Sequence, residues 1–256
     1  MLLHDWIVPD WPAPSHVHAV TTTRSGGVSR DNYYSMNPAS HVNDDVHAVT
    51  ANRLLIQQTL GFAIQPHWLN QTHSTRILDL DHKNADSNAD GSTTTRDGVV
   101  CVVLTADCMP VLLTDRQGQR VAAIHAGWRG LAAGVLEAGV RQFTGDQDII
   151  AWLGPAIGPD KFEVGTEVIR QLSTGAVTGT DWYRESTDNG KWLVDLYKLA
   201  SLRLQNVGVT ELSGGGYCTF SDENRFYSYR RQGDCGRMAT LIWLDHQAAD
   251  GQIKPS

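Results

Sequence analysis

The chain has 256 residues, 41% hydrophobic and 19% charged, with a formal net charge of −7. That composition suits one large core or two small domains, and it excludes a disordered or low-complexity polypeptide. The acidic balance argues against a general nucleic-acid or membrane binder, while leaving room for a local basic pocket for a small anion. No apolar run approaches the roughly 18–20 residues of a membrane span. The start, MLLHDWIVPDWP, lacks the basic region and apolar core of a signal peptide. In such a chain Cys101, Cys108, Cys218 and Cys235 read as reduced thiols, and the cytoplasm is the expected compartment.

Residues 18–24 are rich in β-branched side chains and read as a strand that ends at the tight turn Ser25-Gly26-Gly27. Residues 32–45 show no period and read as a covering loop. Asn43 is the expected N-cap of a helix whose Val46, Val49, Arg53, Ile56 and Leu60 fall at helical spacing, with Gly61 as its stop. Residues 67–70 and 76–80 read as short strands separated by the polar break Gln71-Thr72-His73-Ser74. Residues 82–96, HKNADSNADGSTTTR, are poor in apolar groups and read as a mobile loop, with Asp86 and Asp90 in solvent.

Residues 97–131 are the stretch around which the chain is organised. Apolar runs 99–104 and 110–114 flank the polar break Thr105-Ala106-Asp107-Cys108. A third run, 121–124, ends in His125 and is followed by Gly127-Trp128-Arg129-Gly130. Short apolar runs bounded by turn residues read as buried strands, so each break sits at a strand end where side chains converge. A Cys and a His at adjacent strand ends form either a metal half-site or a nucleophile–base pair. Residues 128–143 read as one helix, with Leu131, Val135, Leu136, Gly139, Val140 and Phe143 on one face. Its start, just past His125, would offer backbone N–H groups to an anion.

Beyond it come a strand at 148–153, a rigid double turn at Gly154-Pro155-Ala156-Ile157-Gly158-Pro159, and a helix at 166–172. A Gly/Thr-rich tract at 173–189 precedes a helix at 194–207, a strand at 209–212, a flexible turn at Gly214-Gly215-Gly216, a final strand at 238–244 and a tail. Strands outnumber helices without clean βαβ alternation, which predicts a mixed α/β layered fold with helices covering sheet faces. No nucleotide-cofactor fingerprint occurs.

Of ten histidines, His73 and His125 stand out because each sits at a break beside a strand. With Cys108 they make a three-ligand zinc set that leaves a fourth position open. A core thiol with two surface imidazoles fits the same spacing.

At this point the residues resemble the YfiH or laccase-domain family, also called polyphenol-oxidase-like and peptidoglycan editing factor proteins. The resemblance rests on Thr23-Arg24-Ser25-Gly26-Gly27-Val28-Ser29, Met36-Asn37, Gln71-Thr72-His73, Thr105-Ala106-Asp107-Cys108-Met109-Pro110-Val111 and His125-Ala126-Gly127-Trp128-Arg129-Gly130. It continues through 154–159, Phe162-Glu163-Val164-Gly165 and Phe226-Tyr227-Ser228-Tyr229-Arg230-Arg231, so it spans nearly the whole chain. It implies a single domain over residues 1–256 with a layered α/β/β/α sandwich of mixed sheets, similar to the catalytic domain of cytotoxic necrotising factors. It implies zinc held by His73, Cys108 and His125, with copper as the alternative metal.

The implied activity is phosphorolysis of adenosine, inosine, guanosine and methylthioadenosine, plus deamination of adenosine, and a role in editing peptidoglycan precursors is also attached to the family. Under that reading the partners are a purine nucleoside and phosphate, not nucleic acid or membrane, and the protein is a monomer or small homo-oligomer. Asp107 is placed to donate a proton, or simply to cap its turn. Arg24, Arg129 and Arg230 are candidates for phosphate or ribose, and Asn37, Phe162 and Tyr229 for base or sugar. His41 lies in a loop that varies in the family and carries over poorly. Two other functions compete: a copper-dependent polyphenol oxidase, although only one H-x-H occurs (His16-Val17-His18), and a metal-free amidase or deamidase with Cys108 as nucleophile and His125 as base.

Overall fold

The computed structural model describes residues 5–82, 86–143, 148–174 and 179–245. Their strands, in chain order, are β1 (Val17–Thr21), β2 (Ile77–Asp79), β3 (Gly91–Thr94), β4 (Cys101–Thr105), β5 (Met109–Asp115) and β6 (Val121–Ala126). These are followed by β7 (Ile149–Leu153), β8 (Glu163–Gly165), β9 (Tyr183–Glu185), β10 (Lys191–Val194), β11 (Glu211–Gly214) and β12 (Met238–Leu244). The α-helices are α1 (Val46–Leu60), α2 (Trp128–Ala133), α3 (Val135–Val140), α4 (Thr166–Leu172), α5 (Leu196–Asn206) and α6 (Tyr229–Gln232).

A six-stranded mixed sheet has the order β11-β7-β5-β6-β3-β2, and a three-stranded antiparallel sheet has the order β1-β12-β4. A further small sheet, β8-β10-β9, flanks them. Side-chain parity builds the layers, because successive strand residues point to opposite faces. Val111, Leu113, Ala122 and Ile124 enter a core shared with Leu131, Leu136, Ile169 and Leu199 of the helices. Leu112, Val121 and Ala123 point the other way and meet Cys101, Val103 and Ile242 of the small sheet. Val102, Leu104 and Leu241 leave that sheet on its far side to pack with Ile56 of α1. The order is therefore helix, sheet, sheet, helices, which is the α/β/β/α arrangement expected.

Five local expectations need correction. First, the stretch 128–143 is two short helices. Gly134 takes φ 93° and its N–H closes on Gly130 and Leu131, so the backbone turns left-handed between them. Second, Asp45 caps α1, accepting from the His47 N–H at 3.0 Å, while Asn43 donates to Asp234. Third, residues 67–70 make isolated bridges, His67 with Cys101 and Asn70 with Asn88, and no strand. Fourth, β9 lies inside the tract at 173–189, of which 175–178 fall outside the described residues.

The fifth and largest correction is at 82–96. Part of it, β3, is a fully buried strand between β2 and β6, and Asp90 is buried beside it. Its side chains are polar, and the burial of both threonines is tolerated because partners are waiting for them, while the Ser92 hydroxyl is buried without one among the described residues. The Thr93 hydroxyl donates to the Val121 carbonyl at 2.8 Å, and the Thr94 hydroxyl to the Asp81 carboxylate at 2.5 Å.

Candidate metal centre and its cleft

Strand register brings the centre together. Antiparallel pairing sets Met109 opposite Ala126, so Cys108, just before β5, lies beside the end of β6, where His125 belongs to the strand itself rather than to a break after it. Pairing of β3 with β6 sets Gly91 opposite Ile124, which carries Asp90 to His125. His73 arrives on the strap 71–74. Gln71 ties this strap to β4 by donating to the Leu104 carbonyl at 2.8 Å and accepting from the Leu104 N–H at 2.7 Å. His73 and Asp107 hold φ of 60° and 82°, a left-handed conformation uncommon outside glycine.

The Cys108 Sγ lies 4.0 Å from the His73 Nε2. The His73 and His125 rings meet edge to face, with centroids 4.9 Å apart. One ligand atom from each of the three residues lies within 4.8 Å of the others. With bonds of about 2.0–2.3 Å, two donors around one tetrahedral ion stand roughly 3.3–3.8 Å apart. The three donors are close to that spacing, and a thiolate with two imidazoles is a donor set that suits zinc or copper. Gly127 makes the approach possible: a Cβ there would stand 2.9 Å from both the Cys108 Sγ and a His73 ring carbon.

The electrostatics favour ligation. Burial pushes the Cys108 thiol up, but the charge of His125 and hydrogen bonds from His125 and His73 outweigh it and bring it down to about 6. Burial works against charge on His125 too, yet Cys108 and the Asp90 carboxylate raise it to about 9. Each of the two groups thus favours the charged form of the other, and a thiol pushed towards thiolate is the form that binds a cation.

Around these residues opens a cleft of about 440 Å³. Asp107, Arg129, Phe162, Tyr229 and Arg230 line it, together with His73, Cys108 and His125. Arg129 stacks over Trp128 at 4.3 Å, and Arg230 lies over Phe162 at 5.4 Å while donating to the Glu163 carbonyl. The Asp107 carboxylate is already engaged on both oxygens, by the Thr219 hydroxyl and the Arg230 N–H, each at 2.6 Å. These bonds tie the Asp107 turn to Thr219 and to the start of α6, and none of them caps the turn itself. α2 is only six residues long, so its dipole is a smaller asset for an anion than the arginines beside it.

Two expected contacts are not brought to the cleft. Arg24 donates to the carbonyls of Tyr34 and Glu223. Asn37 is buried, donating to Asp44 and accepting from the Ala39 and Arg237 N–H groups. Both clasp loops.

In their place the cleft includes Arg237, Trp128, Ile157 and His41, the last from the loop passed over above. Behind it stands Asp90, whose Oδ1 lies 2.8 Å from the His125 Nδ1. The run Thr93-Thr94-Thr95 after Asp90 was a usable signal, since threonine is β-branched and favours strands. Arg237 offers no local signal.

Comparison with known proteins finds relatives that cover nearly the whole chain. A family model described as "Multi-copper polyphenol oxidoreductase laccase" matches residues 18–245. A Pseudomonas aeruginosa protein named as a purine nucleoside phosphorylase is 48% identical over 244 residues, covering 94% of this chain and 99% of its own. Purine nucleoside phosphorylase YfiH of Escherichia coli is 45% identical over 240 residues, covering 93% and 98%. A crystal structure of a Neisseria meningitidis protein superposes with a TM-score of 0.87 at 44% identity, covering 94% of this chain and 99% of that one.

Proposed function

The chain belongs to the multi-copper polyphenol oxidoreductase laccase family, and from that premise we propose that it is a metal-dependent purine nucleoside phosphorylase. The observation that carries the proposal is the convergence of His73, Cys108 and His125 on one cleft rimmed by Arg129, Arg230 and Arg237. Metal-ligand chemistry and anion-binding side chains meet in a space of nucleoside size. In the reaction a phosphate oxygen bonds to C1′ of the ribose as the bond from C1′ to the purine nitrogen breaks, giving the free base and ribose 1-phosphate. Zinc, the metal we favour, supplies Lewis acidity when bound.

The chain's own residues do the rest. Phe162 and Tyr229 offer apolar and aromatic surface to the base. The guanidinium groups attract phosphate and hold it by charge-assisted hydrogen bonds. Asp107 keeps Arg230 at the rim by binding its backbone N–H. Deamination of adenosine would use the same nucleoside pocket with water in place of phosphate.

The test pairs metal analysis of protein purified without added metal with inosine cleavage at graded phosphate. We expect about one zinc per chain and turnover that requires phosphate and is lost on chelation. Turnover that ignores both would sink the proposal. The family's description favours one competitor, a copper phenol oxidase. Against it, His73, Cys108 and His125 form the single group of three potential metal donors among the described residues. Copper-loaded protein is expected not to oxidise phenols, and oxidation at enzymatic rates would reverse that ranking.

A further inference from the structure

The reading of His73, Cys108 and His125 as metal ligands leaves one buried charge without a role. Asp90 is fully buried at the head of β3, and burying a carboxylate is costly unless strong donors meet it. Here every group that faces it is a donor. Its Oδ1 receives the His73 N–H at 2.9 Å and stands 2.8 Å from the His125 Nδ1. Its Oδ2 receives the N–H groups of Thr72 at 3.1 Å and Ser74 at 2.6 Å, and the Ser74 hydroxyl at 2.8 Å. The main chain of Asp90 joins in, its carbonyl accepting from the His125 N–H at 2.7 Å. These bonds hold its carboxyl well below the usual range despite the burial.

From this arrangement, and resting on the metal reading above, we infer that Asp90 is the positioning residue of the centre, one carboxylate that orients two ligands from different elements. For His125 it accepts the Nδ1 proton, which selects the tautomer whose Nε2 lone pair is free for a metal. For His73 it gathers three successive N–H groups of the strap, which holds the left-handed backbone at φ 60° and with it the direction of the ring. A carboxylate is required. An amide has one accepting oxygen, and in either orientation its NH₂ would face donors.

The alternative is that Asp90 only staples the strap to β3. The two roles separate in Asp90→Asn, read by competition with a zinc chelator and by the cobalt(II) spectrum of the refilled protein. A positioning role predicts a zinc affinity lower by about 10- to 100-fold and a weakened tetrahedral cobalt band, in protein whose circular dichroism matches wild type. Zinc affinity equal to wild type in the folded variant overturns the inference, whatever happens to its melting temperature.

Should Asp90→Asn fail to fold, histidine ¹⁵N NMR of zinc-loaded wild type decides. His125 coordinated through Nε2 with a protonated Nδ1 supports the role, and coordination through Nδ1 overturns it. If wild type itself takes up neither zinc nor cobalt, the metal reading falls and this inference falls with it. Wild-type binding with an indifferent Asp90→Asn removes this inference alone.

Discussion

Two neighbouring strands of the same sheet, β3 and β6, reach the same burial by opposite chemistry. β6 reads VAAIHA, an apolar run that any burial argument places inside. β3 reads GSTT, and every residue of it is buried as well. β6 is held by contact: Ile124 packs so closely against α3 that a Cβ on Gly139 would stand 2.1 Å from its Cδ1. β3 is held by hydrogen bonds to Val121 and Asp81, and Asp90, just before it, holds the strap around His73. The candidate metal centre sits on the seam. Cys108 and His125 come from the apolar side, while His73 and its anchor Asp90 come from the polar side. The comparison teaches that apolar packing supplies a rigid floor and the polar strand supplies direction.

The largest effect should come from removing a ligand on the apolar side. Cys108→Ala is expected to lose bound metal and turnover together, while melting like metal-stripped wild type, because the thiol stands at the rim of the core. Full turnover in the metal-depleted variant would instead support a metal-independent mechanism. His73→Ala should do the same from the polar side, and a variant that kept its zinc would show the seam to be narrower than drawn.

Next comes the packed floor. Ile124→Ala should cost about 2–5 kcal/mol of stability, as for other large-to-small changes in a close-packed core. Denaturant unfolding measures it, and a cost under about 1 kcal/mol would mean that β6 is not held by contact.

Arg129→Met tests the cleft above that floor. A charge-assisted bond to phosphate is worth about 1.5–3 kcal/mol, so phosphate use should weaken by roughly 10- to 150-fold. Adenosine deamination, which takes only water, should change much less. No ion pair of Arg129 with an acid occurs among the described residues, and its guanidinium lies over the Trp128 ring. Equal losses in both assays would end the phosphate assignment.

The smallest effect is the sharpest probe of the polar strand. Thr93→Val keeps the shape of the side chain and removes the hydroxyl that donates to Val121. It should cost about 0.5–1.5 kcal/mol by the same unfolding measurement. No cost at all would return β3 to the loop that its composition suggests.

Much of the fold was legible in the chain itself. The apolar runs at 99–104, 110–114, 121–124 and 238–244 match β4, β5, β6 and β12 to within two residues at each end, because an apolar segment carries its reason for burial within its own residues. Cys108, His125 and His73 stood out for the same kind of reason, as reactive groups at breaks between such segments, and their motifs resembled those of a known family. The tertiary structure alone decided the remainder. Asp90 looks like a solvated loop acid until register sets Gly91 opposite Ile124 and brings the imidazole of His125 to it, 35 positions along the chain. Arg24 and Asn37 look like substrate contacts until Glu223 and Arg237, about 200 residues away, take up their hydrogen-bonding groups. A polar side chain is inside or outside according to whether a partner meets it, and partners so distant in sequence meet only once the sheets are paired.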